Sequence, residues 1–272
     1  MIEIKLITTP IGNLDDLTLR ARKALEEATY ILAEDTRTTR SLFDLLQIPT
    51  VGRKFVAFHD HNQKQIEQLL SELETIGECC IVSDAGSPII SDPAYPLVKA
   101  IVEAGGIVRT IPGVSSVVAA LELSALPPQP YTFHGFLGRK KSDITGKMDE
   151  CASFGGTHIF FESPHRIEST LEILANKLPD LELALCREIT KKFETVYRFK
   201  AKDWKEIELT VKGEFVLLAF FERSASKSSS NKELEKLAQT YLKKKTPKNL
   251  SKLLAPIIGV STQEAYGLLS DK

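Results

Sequence analysis

The densest run of side chains able to do chemistry is VSDAGSPIISDPAYPLV, residues 82–98. An apolar strand runs there into Ser-Asp-Ala-Gly-Ser-Pro. Gly86 allows close backbone approach, Pro88 stiffens the loop, and Asp84 and Ser87 offer acceptors and donors. Small polar loops at strand ends are common binding sites, an ordinary turn being the plain alternative. A second such loop, TIPGVSSVVAAL (residues 110–121), sets Ser115 and Ser116 at a helix start. A hydroxyl there either caps the helix or binds a polar ligand. The two loops lie about one strand–helix unit apart, as a crevice between neighbouring parallel strands requires.

Other stretches carry charge. AEDTRTTR (residues 33–40) puts Glu34 and Asp35 at a strand end beside Arg37 and Arg40, either an exposed ion pair or an acid held by arginine in a cleft. FHDHN (residues 58–62) holds His59, Asp60 and His61, but an H-x-H without a third ligand at sensible spacing is a weak metal signal, and no metal is expected. In FFESPHRI (residues 160–167), Glu162 precedes Ser163 and Pro164, a cap and a helix start. His165 and Arg166 would then sit on the first turn, where the positive helix end suits a phosphate. GRKKSD contributes Arg139, Lys140 and Lys141, and CREITKKFET contributes Arg187, Lys191 and Lys192. Several basic clusters in one region point to a phosphate-rich partner although the formal net charge is only −1.

These residues need a scaffold. The chain opens on a strand that ends in TTPIGN, with neither G-x-G-x-x-G nor G-K-[ST], so neither usual nucleotide loop is present. Strand and helix patterns then alternate through residue 115, which argues for a mostly parallel α/β sheet. Asp15 or Asp16 is expected to cap the first helix, Asn62 the third and Asp92 the fourth. LPPQP (residues 126–130) reads as a hinge. Beyond it, five strand-like runs with two helices, near residues 167–178 and 203–207, suggest a smaller α+β domain with more antiparallel pairing. A serine-rich linker leads to a basic tail in which residues 226–272 hold nine lysines against four acids. The expected domains are residues 1–115, 116–225 and 226–272.

Composition bounds the rest. With 272 residues, 43% hydrophobic and 26% charged, the chain should be globular and soluble. No apolar run approaches a membrane span, and Met1 leads almost directly into a strand, so a cytoplasmic protein without signal peptide or membrane contact is expected. The four cysteines form no C-x-x-C, consistent with buried, reduced thiols.

Taken in order, TTPIGNLDDLTLRA, AEDTRTTRSL, FHDHN, VSDAGSPIISDP, IPGVSS, FHGFLGRKK, FFESPHRI and REITKKFET resemble the ribosomal RNA small subunit methyltransferase I family. That family belongs to the tetrapyrrole methylase superfamily of class III S-adenosylmethionine methyltransferases. The resemblance runs from about residue 4 to residue 221, and the tail resembles a helix-turn-helix-like extension. It implies two α/β domains with the cofactor cleft between them. The cleft would be bordered by Pro10 of the first loop and by Asp84, Gly86, Ser87, Ile89, Ile90, Ser115 and Ser116. Ser87 stands where tetrapyrrole methylases carry an acid, and Phe136-Leu137-Gly138 replaces the family's usual Phe-Leu-Pro. The implied reaction is S-adenosylmethionine-dependent methylation of a cytidine ribose 2′-oxygen in the decoding region of 16S rRNA.

A ribose hydroxyl is a weak acid, so a side chain is expected to share its proton in the transition state. Glu34, Asp35, His59, Asp60, Glu162 and Glu188 are the candidates, with Arg37 beside them. Arg139, Lys140, Lys141, Arg166, Arg187, Lys191, Lys192 and the tail lysines would hold RNA phosphates. The rival readings are a porphyrinoid C-methyltransferase and a non-catalytic RNA-binding assembly factor. A homodimer is also expected, because superfamily members are dimers and VVAALELSAL offers an apolar helix that one subunit need not bury.

Overall fold

The computed structural model describes residues 1–58, 63–90, 94–222 and 246–270. It divides into two compact units, Met1–Glu222 and Arg223–Lys272.

In the first unit, β1 (Glu3–Ile7), β2 (Tyr30–Ala33), β3 (Lys54–Ala57), β4 (Glu78–Val82) and β5 (Ile107–Ile111) form one sheet in the order β3-β2-β4-β1-β5. Every pairing is parallel, so all strand C-termini share one edge. Alternation along each strand sends successive side chains to opposite faces. Ile4, Leu32, Cys79 and Ile81 pack under α3 (Gln63–Ile76) and α4 (Tyr95–Glu103), whereas Ile7, Ile31, Cys80 and Val82 pack under α1 (Leu19–Glu27) and α2 (Thr36–Leu45). All four cysteines are free and buried, and burial pushes each thiol up to about 12.

The second sheet is built from β6 (Tyr131–Phe136), β7 (Gly156–Glu162), β8 (Glu182–Arg187), β9 (Thr195–Lys200) and β10 (Phe215–Phe221), in the order β6-β7-β10-β8-β9. Only β6 and β7 run parallel. The helix that follows β5, α5 (Ser116–Ser124), covers one face of this second sheet. Its Val117, Ala120 and Leu121 cluster with Ile159, Ala184, Val216 and Leu218. Much of the apolar side offered above as a dimer surface is therefore buried within the chain itself, while Val118 stays exposed. The other face packs against α6 (Lys141–Phe154) and α7 (Ile167–Lys177) through Ile144, Met148, Cys151, Leu171 and Leu174.

Several local expectations need correction. Asp15 and Asp16 lie in a short 3-10 turn, and Thr18 caps α1 by accepting from the Ala21 N–H at 3.1 Å. α6 is a third helix beyond the hinge, where only those near residues 167–178 and 203–207 are expected. The proposed helix at residues 203–207 is a single 3-10 turn, Ala201–Asp203, followed by non-helical chain. The expected caps Asn62 and Asp92 lie outside the described residues, as do His59, Asp60, His61 and the tail pattern around Leu234. In the second unit, α8 (Pro247–Ile258) and α9 (Thr262–Ser270) bury Leu250, Ala255 and Ala265. Among the described residues no helix is long and apolar enough to cross a membrane.

Candidate active site

The turn after β1 answers to the loop after β4. Thr9 and Gly86 form a two-way bridge, with Thr9 N–H donating to the Gly86 carbonyl at 2.9 Å and Gly86 N–H to Thr9 at 3.2 Å. The Thr9 hydroxyl donates to the Ser83 carbonyl at 3.3 Å, and the Ser83 hydroxyl donates to Gly86 O at 3.2 Å. Gly86 adopts φ +80°, which a side chain resists. The loop after β5 closes on the same spot, since a Cβ on Gly113 would lie 3.0 Å from Thr8. Three strand-end loops are thus locked together by backbone bonds and close approach.

The loop after β2 joins them through two acids. The Asp84 N–H donates to Glu34 at 3.2 Å, and the Asp35 N–H donates to Asp84 at 3.1 Å. Asp35 also caps α2 by accepting from the Arg37 N–H at 2.8 Å. The Arg37 side chain and then its backbone N–H hold the Asp35 carboxyl down to about 2. Both stay on the rim, and Arg37 is largely exposed.

Facing these loops across a cleft of about 510 Å³ are the ends of β6, β7 and β10. Ile11, Val114, Phe136 and Phe161 give it apolar walls. Glu34, Asp84, Glu162 and Glu214 line it as well, and among the described residues no lysine or arginine does. Of the eight cofactor candidates, Asp84, Gly86, Ser87, Ile90, Ser115 and Ser116 line the cleft. Pro10 lies beside the lining residue Ile11, and Ile89 packs against the core under α4. Ser115 caps α5 by accepting from Val118 N–H at 3.5 Å. The N–H groups of Ser116 and Val117, the first of α5, have no intrahelical acceptor and border the cleft.

The second-sheet candidates are placed differently from one another. Glu162 is fully buried and accepts from Ser163 N–H at 2.7 Å, from the Thr170 hydroxyl at 2.8 Å and from the Arg166 guanidinium. Arg166 lies just before α7, not on its first turn, and also donates to the Leu137 carbonyl at 3.2 Å. Arg187 is 9% exposed and donates to the carbonyls of Lys212 and Phe193. Lys191 pairs with Glu188 and Glu214, each at 3.1 Å. Arg139, Lys140, Lys141 and Lys192 are exposed. The pins made by Arg166 and Arg187 were invisible in the sequence, where a basic side chain at a helix start or strand end reads as a ligand for anions.

One parallel and one mostly antiparallel five-stranded sheet, with a cleft along the loops between them, define the class III methyltransferase fold. The chain belongs to the tetrapyrrole methylase family and, within it, to the ribosomal RNA small subunit methyltransferase I family. The family described as Tetrapyrrole (Corrin/Porphyrin) Methylases matches residues 3–205. Ribosomal RNA small subunit methyltransferase I of Halalkalibacterium halodurans is 41% identical over 78% of this chain and 74% of its own length. The Bacillus subtilis protein of the same name is 37% identical over 87% of this chain and 78% of its own. Among solved structures, uroporphyrin-III C-methyltransferase of Thermus thermophilus, complexed with S-adenosylhomocysteine, aligns with a TM-score of 0.53. It is 15% identical and covers 81% of this chain and 97% of its own, a likeness of fold alone.

Proposed function

We propose that the chain transfers a methyl group from S-adenosylmethionine to the 2′-oxygen of a cytidine ribose in the decoding region of 16S rRNA. The lining of the cleft carries this reading. Glu34 and Asp84 supply negative charge, Glu214 being paired with Lys191, and aromatic and aliphatic groups supply the walls. A ligand that joins a cation to a flat apolar ring suits such a surface. When bound, the cofactor supplies an electrophilic methyl carbon on a sulfonium sulfur. In this reading Gly86, without a side chain, lets the ligand approach the loop closely, and the N–H groups at the start of α5 hold its polar atoms. The names of the relatives supply the RNA class.

Proton transfer falls to Glu34. Its Oε2 accepts from Asp84, and its Oε1 has no hydrogen-bond partner among the described residues. Asp35 protonates only near pH 2 while Arg37 holds it, and Glu162 is occupied by three donors. Glu34→Gln keeps the acceptor for Asp84 and removes the base. It should leave cofactor affinity within a few-fold and slow methyl transfer at least tenfold. An unchanged rate would remove Glu34 from the reaction.

RNA phosphates are gripped by Arg139, Lys140, Lys141 and Lys192, with Arg166, Arg187 and Lys191 serving as struts for the loops that carry them. Lys140→Glu with Lys141→Glu should weaken RNA binding and flatten its salt dependence by about 0.7 to 0.9 log units per lost phosphate contact. Acid at a helix start does not harm α6, so the fold is spared. Cofactor affinity should not change, and unaltered RNA affinity would sink the assignment. The reaction itself is tested by methyl transfer from labelled cofactor to small subunits, with nuclease digestion and mass to locate the label. A cytidine ribose is expected; a methylated base, or a methylated porphyrinoid and no RNA, contradicts the proposal.

A further inference from the structure

A separate group of chemistry-bearing side chains lies beneath α6, on the face of the second sheet opposite α5. His134 Nε2 is 2.8 Å from His158 Nδ1 and 3.7 Å from Cys151 Sγ. The three donor atoms all fall within 4.8 Å of one another. Cys151 and His158 are buried, at 0% and 1% exposure, and His134 is half-buried.

Three elements bring them together. Alternation along β7 sends His158 to the same face as Phe160. The turns of α6 put Cys151 in line with Ile144 and Met148. On β6, three steps from Phe133 to Phe136 oppose only two from Ile159 to Phe161, and Gly135 takes φ +69°. Such a bulge re-aims a side chain. The His134 ring stacks on Phe160 at 4.9 Å and on His158 at 5.1 Å.

As packing alone the arrangement is poor. Two imidazoles and a thiol occupy space that apolar side chains would fill, at 0% exposure for Cys151 and 1% for His158. We infer that His134, Cys151 and His158 form a binding site for a thiophilic d10 cation, for which zinc is the probe. Cys and His are the ligands such ions prefer. Burial pushes both imidazoles below their usual range, which leaves them neutral, as ligands must be.

Binding makes one Sγ–metal bond and two N–metal bonds. The Cys151 thiol proton leaves to solvent, and His134 binds as the tautomer protonated on Nδ1, with its Nε2 lone pair on the ion. His158 binds through Nδ1, and water takes the fourth position. Tetrahedral zinc with bonds of about 2.0 Å to nitrogen and 2.3 Å to sulfur sets N···N near 3.3 Å and N···S near 3.5 Å. Reaching that spacing moves His134 back from His158 by about half an ångström and closes the Cys151–His158 pair, which lies within 4.8 Å, by up to about 1.3 Å. The ends of β6 and β7 supply Phe136, Phe161 and Glu162 to the cleft, so the ion would tie together two strands that shape it.

The test uses the full chain, reduced and stripped with chelator, and titrated with Co²⁺ and then Zn²⁺. One equivalent of cobalt per chain is expected, with a thiolate-to-cobalt charge-transfer band that zinc abolishes. Cys151→Ala should remove the band. His134→Gln, at the bulge, should weaken affinity at least tenfold while its metal-free circular dichroism and melting stay those of the parent. It decides the matter if Cys151→Ala fails to fold. Cobalt binding without a thiolate band, a band that survives Cys151→Ala, or affinity unmoved by His134→Gln would overturn the site.

Discussion

Gly86→Val is expected to abolish measurable binding of S-adenosylhomocysteine, a loss of at least a hundredfold by calorimetry. Gly86 holds φ +80°, a region that costs an ordinary residue about 1–2 kcal/mol and a β-branched one more. A Cβ there would already touch Ile11 Cγ2 at 3.4 Å, and the two methyl groups of valine reach further. Ile11 lines the cleft. The loop can relieve the strain only by leaving its bridge to Thr9, which dismantles the junction of the loops after β1 and β4. Gly52→Val is the control. Gly52 also holds φ +80°, but a Cβ there meets nothing within 4 Å. That variant should lose some stability and keep its cofactor affinity. If Gly86→Val binds as tightly as the parent, the cofactor lies elsewhere.

The second large effect is on stability. Glu162→Ala should destabilise the fold by about 3 kcal/mol in denaturant titration, because it leaves a partly buried guanidinium and a buried hydroxyl without their acceptor. Arg166 is a quarter exposed, which places the loss at the low end for broken buried pairs. Arg166 also holds the Leu137 carbonyl, so the loss should reach the loop that carries Arg139 and Lys140 and weaken RNA binding as well. Thr170→Val removes one of the three donors and should cost less, on the order of 1 kcal/mol. A Glu162→Ala protein as stable as the parent, yet dead in methyl transfer, would instead make Glu162 a catalytic acid or base.

Much of this was legible in the sequence because it depends on local chemistry. The strand runs, the glycine at a sharp turn and the serine at a helix start each act through backbone rules that need no partner. The parallel sheet follows from alternation, as does the sorting of Cys79 and Cys80 to opposite faces. Helix α6 was hidden because its apolar stripe, Ile144, Met148 and Cys151, is narrow and its start falls in the basic cluster GRKKSD. Asp15 and Asp16 misled because either could cap, whereas the register of buried Ala21, Ala24 and Leu25 selects Thr18. Arg166 and Arg187 show the limit most plainly. Charge is written in the sequence, but whether it meets a phosphate or a carbonyl depends on tertiary position. The cluster of His134, Cys151 and His158 has no motif spacing at all. It exists because a bulge in β6 and one face of α6 meet over β7.

The most direct measurement is a crystal structure of the chain with S-adenosylhomocysteine. The account predicts the ligand in the cleft between the two sheets, with its polar atoms on the backbone of residues 84–87 and the first N–H groups of α5. Glu34 should stand beside the position from which the methyl group leaves. Ligand at the opposite edge of the first sheet, on α8 and α9, or absent at saturating concentration would contradict it.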